Sequence, residues 1–146
     1  MKPNHITICA AIALLHVPPA LAADPYAKVE LWTANTAALS AENLCASAQL
    51  GMDYGPARLA AQVMCHRHLG KTVLGVAPTL VVEPWRFGPI TPYASVSAGP
   101  STNGAMLTGG LGAEWRSLSI GFTKICYDIQ CQSRDTVLSL GIRKDF

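Results

Sequence analysis

A period-two alternation of apolar and polar residues, repeated along the chain, constrains the fold most. In residues 135–146 the even positions, from Thr136 to Phe146, are mostly apolar and the odd positions are mostly polar. Successive side chains of a β-strand point to opposite faces, so this pattern predicts a strand with unlike surroundings on its two sides. The same alternation recurs in residues 93–98, 105–116 and 116–123.

The composition of the polar face indicates which side of these strands is enclosed. That face consists of Ser, Thr, Gly and isolated charges, whereas a soluble sandwich or barrel usually turns Lys and Glu outward. Charged residues make up 14% of the chain, which is low for a surface washed by solvent. We therefore expect the polar face to line a narrow interior and the apolar face to contact lipid, as in a transmembrane β-barrel.

The first 22 residues are typical of a secretory signal peptide. Lys2 precedes an apolar run from residue 6 to residue 17, and Ala20-Leu21-Ala22 has the small-x-small pattern of a cleavage site. The run is shorter than the roughly 20 residues of a spanning helix, although a retained anchor is the alternative. The predicted organisation is a signal peptide, residues 1–22, followed by one β-barrel domain, residues 23–146. That domain has ten Lys and Arg against nine Asp and Glu, and no polybasic run, so no nucleic-acid partner is expected.

Residues 45–68 permit two interpretations. A hairpin that turns at Gly55 and Pro56 would place Asp53 opposite Arg58, and would pair Gln49 with Gln62 on the same polar face. Two helices are the alternative, because Ala, Leu, Gln and Met favour helix and Pro56 suits a first helical position. The alternation favours the hairpin.

Four cysteines follow the predicted signal peptide, and an even count in an exported chain suggests disulfides. Cys126 and Cys131 flank the polar stretch YDIQ, which makes them the most natural pair. Cys45 and Cys65 are then the remainder, but three connectivities stay possible. The hairpin register places Cys45 and Cys65 on opposite faces, so a bridge between them would require a register shift of one residue.

The alternating segments add up to eight candidate strands. The segments LGMDYGPARLAAQV, PYASVSAG, GLGAEWRSLSIGF and LGIRKDF resemble the small eight-stranded outer-membrane β-barrel proteins of Gram-negative bacteria. The resemblance implies an all-β, eight-stranded antiparallel up-and-down transmembrane β-barrel in outer-membrane lipid. The predicted strands span roughly residues 26–34, 44–54, 57–67, 73–83, 90–98, 104–114, 117–126 and 136–146.

The resemblance also implies an orientation and an assembly partner. In that family the last strand ends on Phe, which resembles the signal read by the barrel-assembly machinery and gives Phe146 that role. Lys144 departs from the pattern, but its long side chain can snorkel to the interface. Both chain ends and the turns near 55–56, 86–89 and 115–117 would be periplasmic, with Trp85, Phe87 and Trp115 in an aromatic girdle. The short loops near 35–43, 68–72, 99–103 and 127–135 would face outward.

No pattern in the sequence predicts a catalytic, cofactor-binding or metal-binding residue. His66 and His68 point to the same strand face and could share a metal with Cys65, but we predict a strand-end or interior role for them. A resemblance to the lipid A deacylases would require a Ser two residues from a His, and the His-Arg-His stretch at residues 66–68 has no Ser in that place. The charged residues of the polar face are predicted to pair inside the barrel and to leave no room for a solute channel. They are Glu30, Asp53, Arg58, Glu83, Glu114, Arg116, Arg143 and Asp145.

The sequence thus predicts a non-enzymatic outer-membrane barrel with a structural or surface-interaction role. One alternative is a soluble periplasmic β-domain held by disulfides, such as a binding or inhibitor module. The other is a lipid A-modifying outer-membrane enzyme, whose activity would depend on His66 or His68. The sequence names no small-molecule ligand and no cofactor.

Overall fold

Eight antiparallel strands form a closed barrel in the computed structural model, which describes residues 23–33, 44–68, 70–127, 131 and 134–146. Each strand pairs with its neighbours in sequence, and the last pairs with the first. The predicted fold class is therefore confirmed. The predicted signal peptide, residues 1–22, and the predicted loop at 35–43 lie outside the described residues. The strands are β1 (Asp24–Thr33), β2 (Leu44–Asp53), β3 (Ala57–His68), β4 (Lys71–Val82), β5 (Ile90–Ser101), β6 (Gly104–Trp115), β7 (Leu118–Cys126) and β8 (Arg134–Asp145).

The hairpin of β2 and β3 has the predicted register. Asp53 pairs with Arg58 and Gln49 with Gln62, so the two-helix alternative is wrong. Gly55 has a backbone φ of 88°, a conformation that residues with a Cβ rarely adopt. Its backbone N–H donates to Oδ1 of Asp53 at 2.7 Å. Local turn chemistry therefore fixes where β2 ends and β3 begins.

The β5–β6 connection is shorter than predicted. Residues 99–103 were expected to form a loop, but β5 continues to Ser101 and pairs there with Gly104. The predicted loop began at Gly99. A Cβ at Gly99 would lie only 2.9 Å from Cα of Ala77, so glycine here permits the close approach of β4.

The outward face of the barrel is apolar on every strand. Exposed side chains there include Leu50 at 69%, Leu111 at 68% and Ile142 at 62%. The charged side chains described on this face, Arg67, Lys124 and Lys144, all lie within two residues of a strand end. The middle of the outer wall is thus free of described charges, which indicates an apolar surrounding. Among the described residues, no helix is long and apolar enough to cross a membrane.

Two ends of the barrel are distinguished by their connections. The turn end holds residues 54–56, 83–89 and 116–117, together with the start of β1 and the end of β8. The loop end holds the ends of β1, β3, β5 and β7 and the starts of β2, β4, β6 and β8. Inside, charged side chains lie toward the turn end. An apolar layer lies toward the loop end and consists of Trp32, Cys45, Met64, Val73, Ala77, Met106, Ile125, Tyr127 and Val137.

Candidate functional site

Arg58 is the centre of the charged group inside the barrel. Its side chain is 1% exposed, and its Nε lies 2.9 Å from Oε1 of Glu83. Its Nη1 donates to Oε1 of Glu114 at 3.0 Å. Nζ of Lys28 lies 3.2 Å from the same Glu114 oxygen and 3.0 Å from Oε1 of Glu30. Each of these buried charges therefore has a partner of opposite sign, as burial requires.

Arg143 joins this group from β8. Its Nη1 lies 3.3 Å from Oε2 of Glu114 and 3.5 Å from Oε1 of Glu83. Its other guanidinium nitrogens pair with Asp53 and with Asp145. Five strands, β1, β2, β3, β6 and β8, and the start of the β4–β5 turn thus contribute to one ion-pair network across the interior.

Two buried tyrosines pack against the cations. Nζ of Lys28 lies 4.6 Å from the centre of the Tyr93 ring, and the Arg143 guanidinium lies 4.9 Å from the centre of the Tyr26 ring. These distances permit cation–π attraction. Tyr93 itself fills space left by two glycines, because a Cβ at Gly112 or at Gly121 would lie 2.5 or 2.6 Å from its hydroxyl oxygen.

Two of the eight charges predicted to pair inside lie elsewhere. Arg116 is exposed in the β6–β7 turn with a φ of 55°, and its guanidinium lies over the Trp115 ring. The prediction failed because alternation stops where the strand stops. Asp145 reaches Arg143 from the rim, where its side chain is 60% exposed. Lys28, which the prediction omitted, is buried among the network, and the alternation through Tyr26 and Glu30 was the signal for it.

On the loop-end side of the network, polar side chains hydrogen-bond to one another inside the barrel. The Thr79 hydroxyl donates to Oε1 of Gln62 at 2.9 Å, and the hydroxyls of Ser97 and Thr108 lie 2.6 Å apart. A cavity of about 20 Å³ lies beside these groups. Such a cavity has room for about one water molecule.

The mouth of the barrel at the loop end holds a second polar group. His66 and His68 of β3 point inward, and both approach the carboxylate of Asp135 near the start of β8. Oδ2 of Asp135 lies 3.1 Å from Nε2 of His66 and 2.7 Å from Nδ1 of His68. The Tyr127 hydroxyl donates to the same oxygen at 3.1 Å and also contacts the His66 ring. Sequence reasoning missed Asp135, because β3 and β8 are separated by two strands around the barrel.

The cysteines divide as the hairpin register requires. Cys126 and Cys131 form a disulfide, as predicted, and it closes the chain segment that carries Tyr127. Cys45 lies inside the barrel and Cys65 on the outer face, and both are free thiols. The metal-ligating side chains that the described structure brings together at the histidines are His66, His68 and Asp135, and Cys65 is not among them.

Comparison with known proteins places the chain in a fold class. The crystal structure of Neisserial surface protein A (NspA) superposes with a TM-score of 0.56 and 14% identity, over 85% of this chain and 96% of that one. A structure from the de novo design of transmembrane β-barrels superposes with a TM-score of 0.56 and 15% identity, over 84% of this chain and 95% of that one. No protein-family model matches the sequence, and no curated protein matches it. The chain has the fold of the small eight-stranded transmembrane β-barrels.

Proposed function

We propose that this chain is an exported outer-membrane β-barrel protein, with a signal peptide at residues 1–22 and a barrel domain at residues 23–146. The observation that carries the proposal is the continuous apolar outer wall of a closed barrel. Exposed apolar surface of this extent is costly in water but favourable in lipid. The basic side chains on the outer wall lie near strand ends, where they can reach the headgroups.

The role proposed for the barrel is structural or surface-interacting, without catalysis and without solute transport. The support for a closed interior is the ion-pair network around Arg58, the polar side chains above it and the apolar layer beyond. Support for a non-enzymatic role comes from His66, whose hydrogen bonds within the described part of the chain go to Tyr127 and Asp135 and to no serine or threonine. A serine nucleophile would need a histidine within hydrogen-bond reach.

The turn end is proposed to face the periplasm, and Phe146 to belong to the segment that the barrel-assembly machinery reads. Phe146 follows β8 directly and is 70% exposed. Its backbone N–H donates to the carbonyl of Pro25 at 3.0 Å, so the residue stays at the β1–β8 seam. Trp85, Phe87 and Trp115 are exposed at the same end, where an aromatic girdle would lie.

Fractionation in a Gram-negative host tests the proposal. The full-length chain should be recovered with outer membranes, and its mobility on SDS gels should change between unheated and boiled samples. Recovery by osmotic shock, with no change on boiling, would overturn the membrane proposal in favour of the soluble periplasmic domain. Loss of lipid A modification when His66→Ala is introduced would overturn the non-enzymatic role.

The proposed role of Phe146 needs a separate pair of variants. Phe146→Ser should lower the amount of assembled barrel in the outer membrane. Phe87→Ser removes an aromatic side chain that is equally exposed at the turn end, but outside β8, and should leave assembly unchanged. Equal assembly of the Phe146→Ser variant and the unmodified chain would overturn the role.

A further inference from the structure

We propose that His66, His68 and Asp135 form a binding site for a divalent transition metal ion such as Zn²⁺ at the loop-end mouth of the barrel. One ligand atom from each residue lies within 4.8 Å of the other two. The donors are two imidazole nitrogens and a carboxylate oxygen, a set that zinc accepts in proteins.

Two of the three distances among the donors, those that include Asp135, are close to the spacing that a metal requires. Zinc binds imidazole nitrogen and carboxylate oxygen at about 2.0–2.2 Å, so neighbouring donors of a tetrahedral site are about 3.3 Å apart. Oδ2 of Asp135 lies 3.1 Å from Nε2 of His66 and 2.7 Å from Nδ1 of His68. The two histidine nitrogens lie within 4.8 Å of each other, so they would move closer by up to about 1.5 Å to place all three donors around one ion.

The surroundings of these donors also fit a metal site. The histidine side chains are 3% and 9% exposed, and the Asp135 side chain is 27% exposed, so the group is enclosed but open on one side. Below it lies the apolar layer that includes Val73 and Met64. Three protein ligands with an accessible fourth position is the arrangement of an exchangeable or reactive zinc, whereas purely structural zinc has four protein ligands.

Tyr127 is placed to support the ligands. Its hydroxyl contacts the His66 ring, most closely at Nε2, and donates to Oδ2 of Asp135 at 3.1 Å, so it touches two of the three proposed ligands. Such outer contacts fix the tautomer and orientation of a ligating histidine. Among the described residues, Asp135 forms ion pairs with the two histidines and with no lysine or arginine.

Metal binding to the purified full-length chain tests the proposal. The protein is isolated, without a histidine tag, from whichever cell fraction contains it, so the result does not depend on the proposed location. Titration with Zn²⁺ should show one ion per chain, and Co²⁺ should develop the visible absorption bands of a tetrahedral site. His68→Ala and Asp135→Asn should each weaken binding by more than about 100-fold, and Tyr127→Phe by about 10-fold.

Matched variants separate the site from other binding and from misfolding. Asp145→Asn changes an aspartate at the opposite end of β8 and should keep full affinity, as should Cys65→Ser. Each variant is first checked for the gel shift on heating, so that a lost barrel is not taken for a lost ligand. Absence of a stoichiometric site in the unmodified chain would overturn the proposal. So would unchanged binding in the folded His66→Ala/His68→Ala variant.

Discussion

Replacement of Arg58 by methionine tests whether buried ion pairs hold the barrel interior together. Methionine keeps an unbranched apolar side chain but leaves Glu83 and Glu114 without their shortest cation contacts, which are 2.9 and 3.0 Å. At an effective dielectric constant of about 20, each contact contributes about 5 kcal/mol of attraction before desolvation is subtracted. Loss of one partner of a buried pair typically costs about 3–5 kcal/mol.

Arg143 moderates the expected loss. It lies 3.5 Å from the Glu83 carboxylate and 3.3 Å from that of Glu114, and these carboxylates also keep Arg86 and Lys28 respectively. We therefore expect the free energy of unfolding to fall by about 3 kcal/mol, at the lower end of that range. Urea unfolding in lipid vesicles, followed by tryptophan fluorescence, measures this change.

Two further variants make the result interpretable. Arg116→Met removes an exposed arginine of the β6–β7 turn and should change the unfolding free energy by less than about 0.5 kcal/mol. In the Arg58→Met background the carboxylates of the network outnumber its buried cations, so Glu114→Gln, which removes one carboxylate, should restore at least about 1 kcal/mol. The reasoning is refuted if Arg58→Met costs no more than Arg116→Met, or if the second change adds to the loss.

Three other predictions concern the outer wall, the packing of the interior and the disulfide. Leu140→Arg, in the middle of β8, should destabilise the barrel in lipid by about 2–4 kcal/mol, measured by urea unfolding in vesicles. Gly121→Leu should cost about 1–3 kcal/mol in the same assay, because its side chain would displace Tyr93. Cys126→Ser opens the small loop closed with Cys131 and should cost about 2 kcal/mol, seen as a lower midpoint of unfolding.

Each of these predictions has a control on the outer face. Thr136→Arg lies near the end of β8 and should cost no more than about 1 kcal/mol; equal costs at positions 136 and 140 would contradict a lipid-facing wall. A Cβ at Gly109 would have no atom within 4 Å, so Gly109→Leu should not crowd Tyr93. A loss of unfolding free energy as large as that of Gly121→Leu would exclude crowding of Tyr93 as the cause. Cys65→Ser removes a free thiol and should leave the midpoint unchanged; a matching drop would rule out the bridge as the source of stability.

Strand identity and facing could be predicted from the sequence because they depend on neighbours two residues apart. The side chains of Thr136, Leu138 and Leu140 point outward as the alternation predicts, and Trp32 points inward as the same rule requires. The hairpin register followed from the turn at Gly55. These are local properties, which a pattern of apolar and polar residues records directly.

Features that depend on closure of the sheet could not be predicted in the same way. Asp135 meets His66 only because β8 curves around to within reach of β3 across the mouth. Nothing in the spacing of these residues along the chain indicates that contact. The errors at strand ends have a related cause, since the facing rule no longer applies to Arg116 once β6 has ended.

The central claim, a closed barrel whose apolar wall faces lipid, is tested most directly by a fluorescent label at a single cysteine. In a chain lacking Cys45 and Cys65, Leu140→Cys reports on the middle of the outer wall, and Asn103→Cys on the exposed β5–β6 turn at the loop end. After incorporation into vesicles, lipids with brominated chains should quench the label at position 140, and aqueous iodide should quench the label at position 103. Quenching by iodide at both positions would contradict the account.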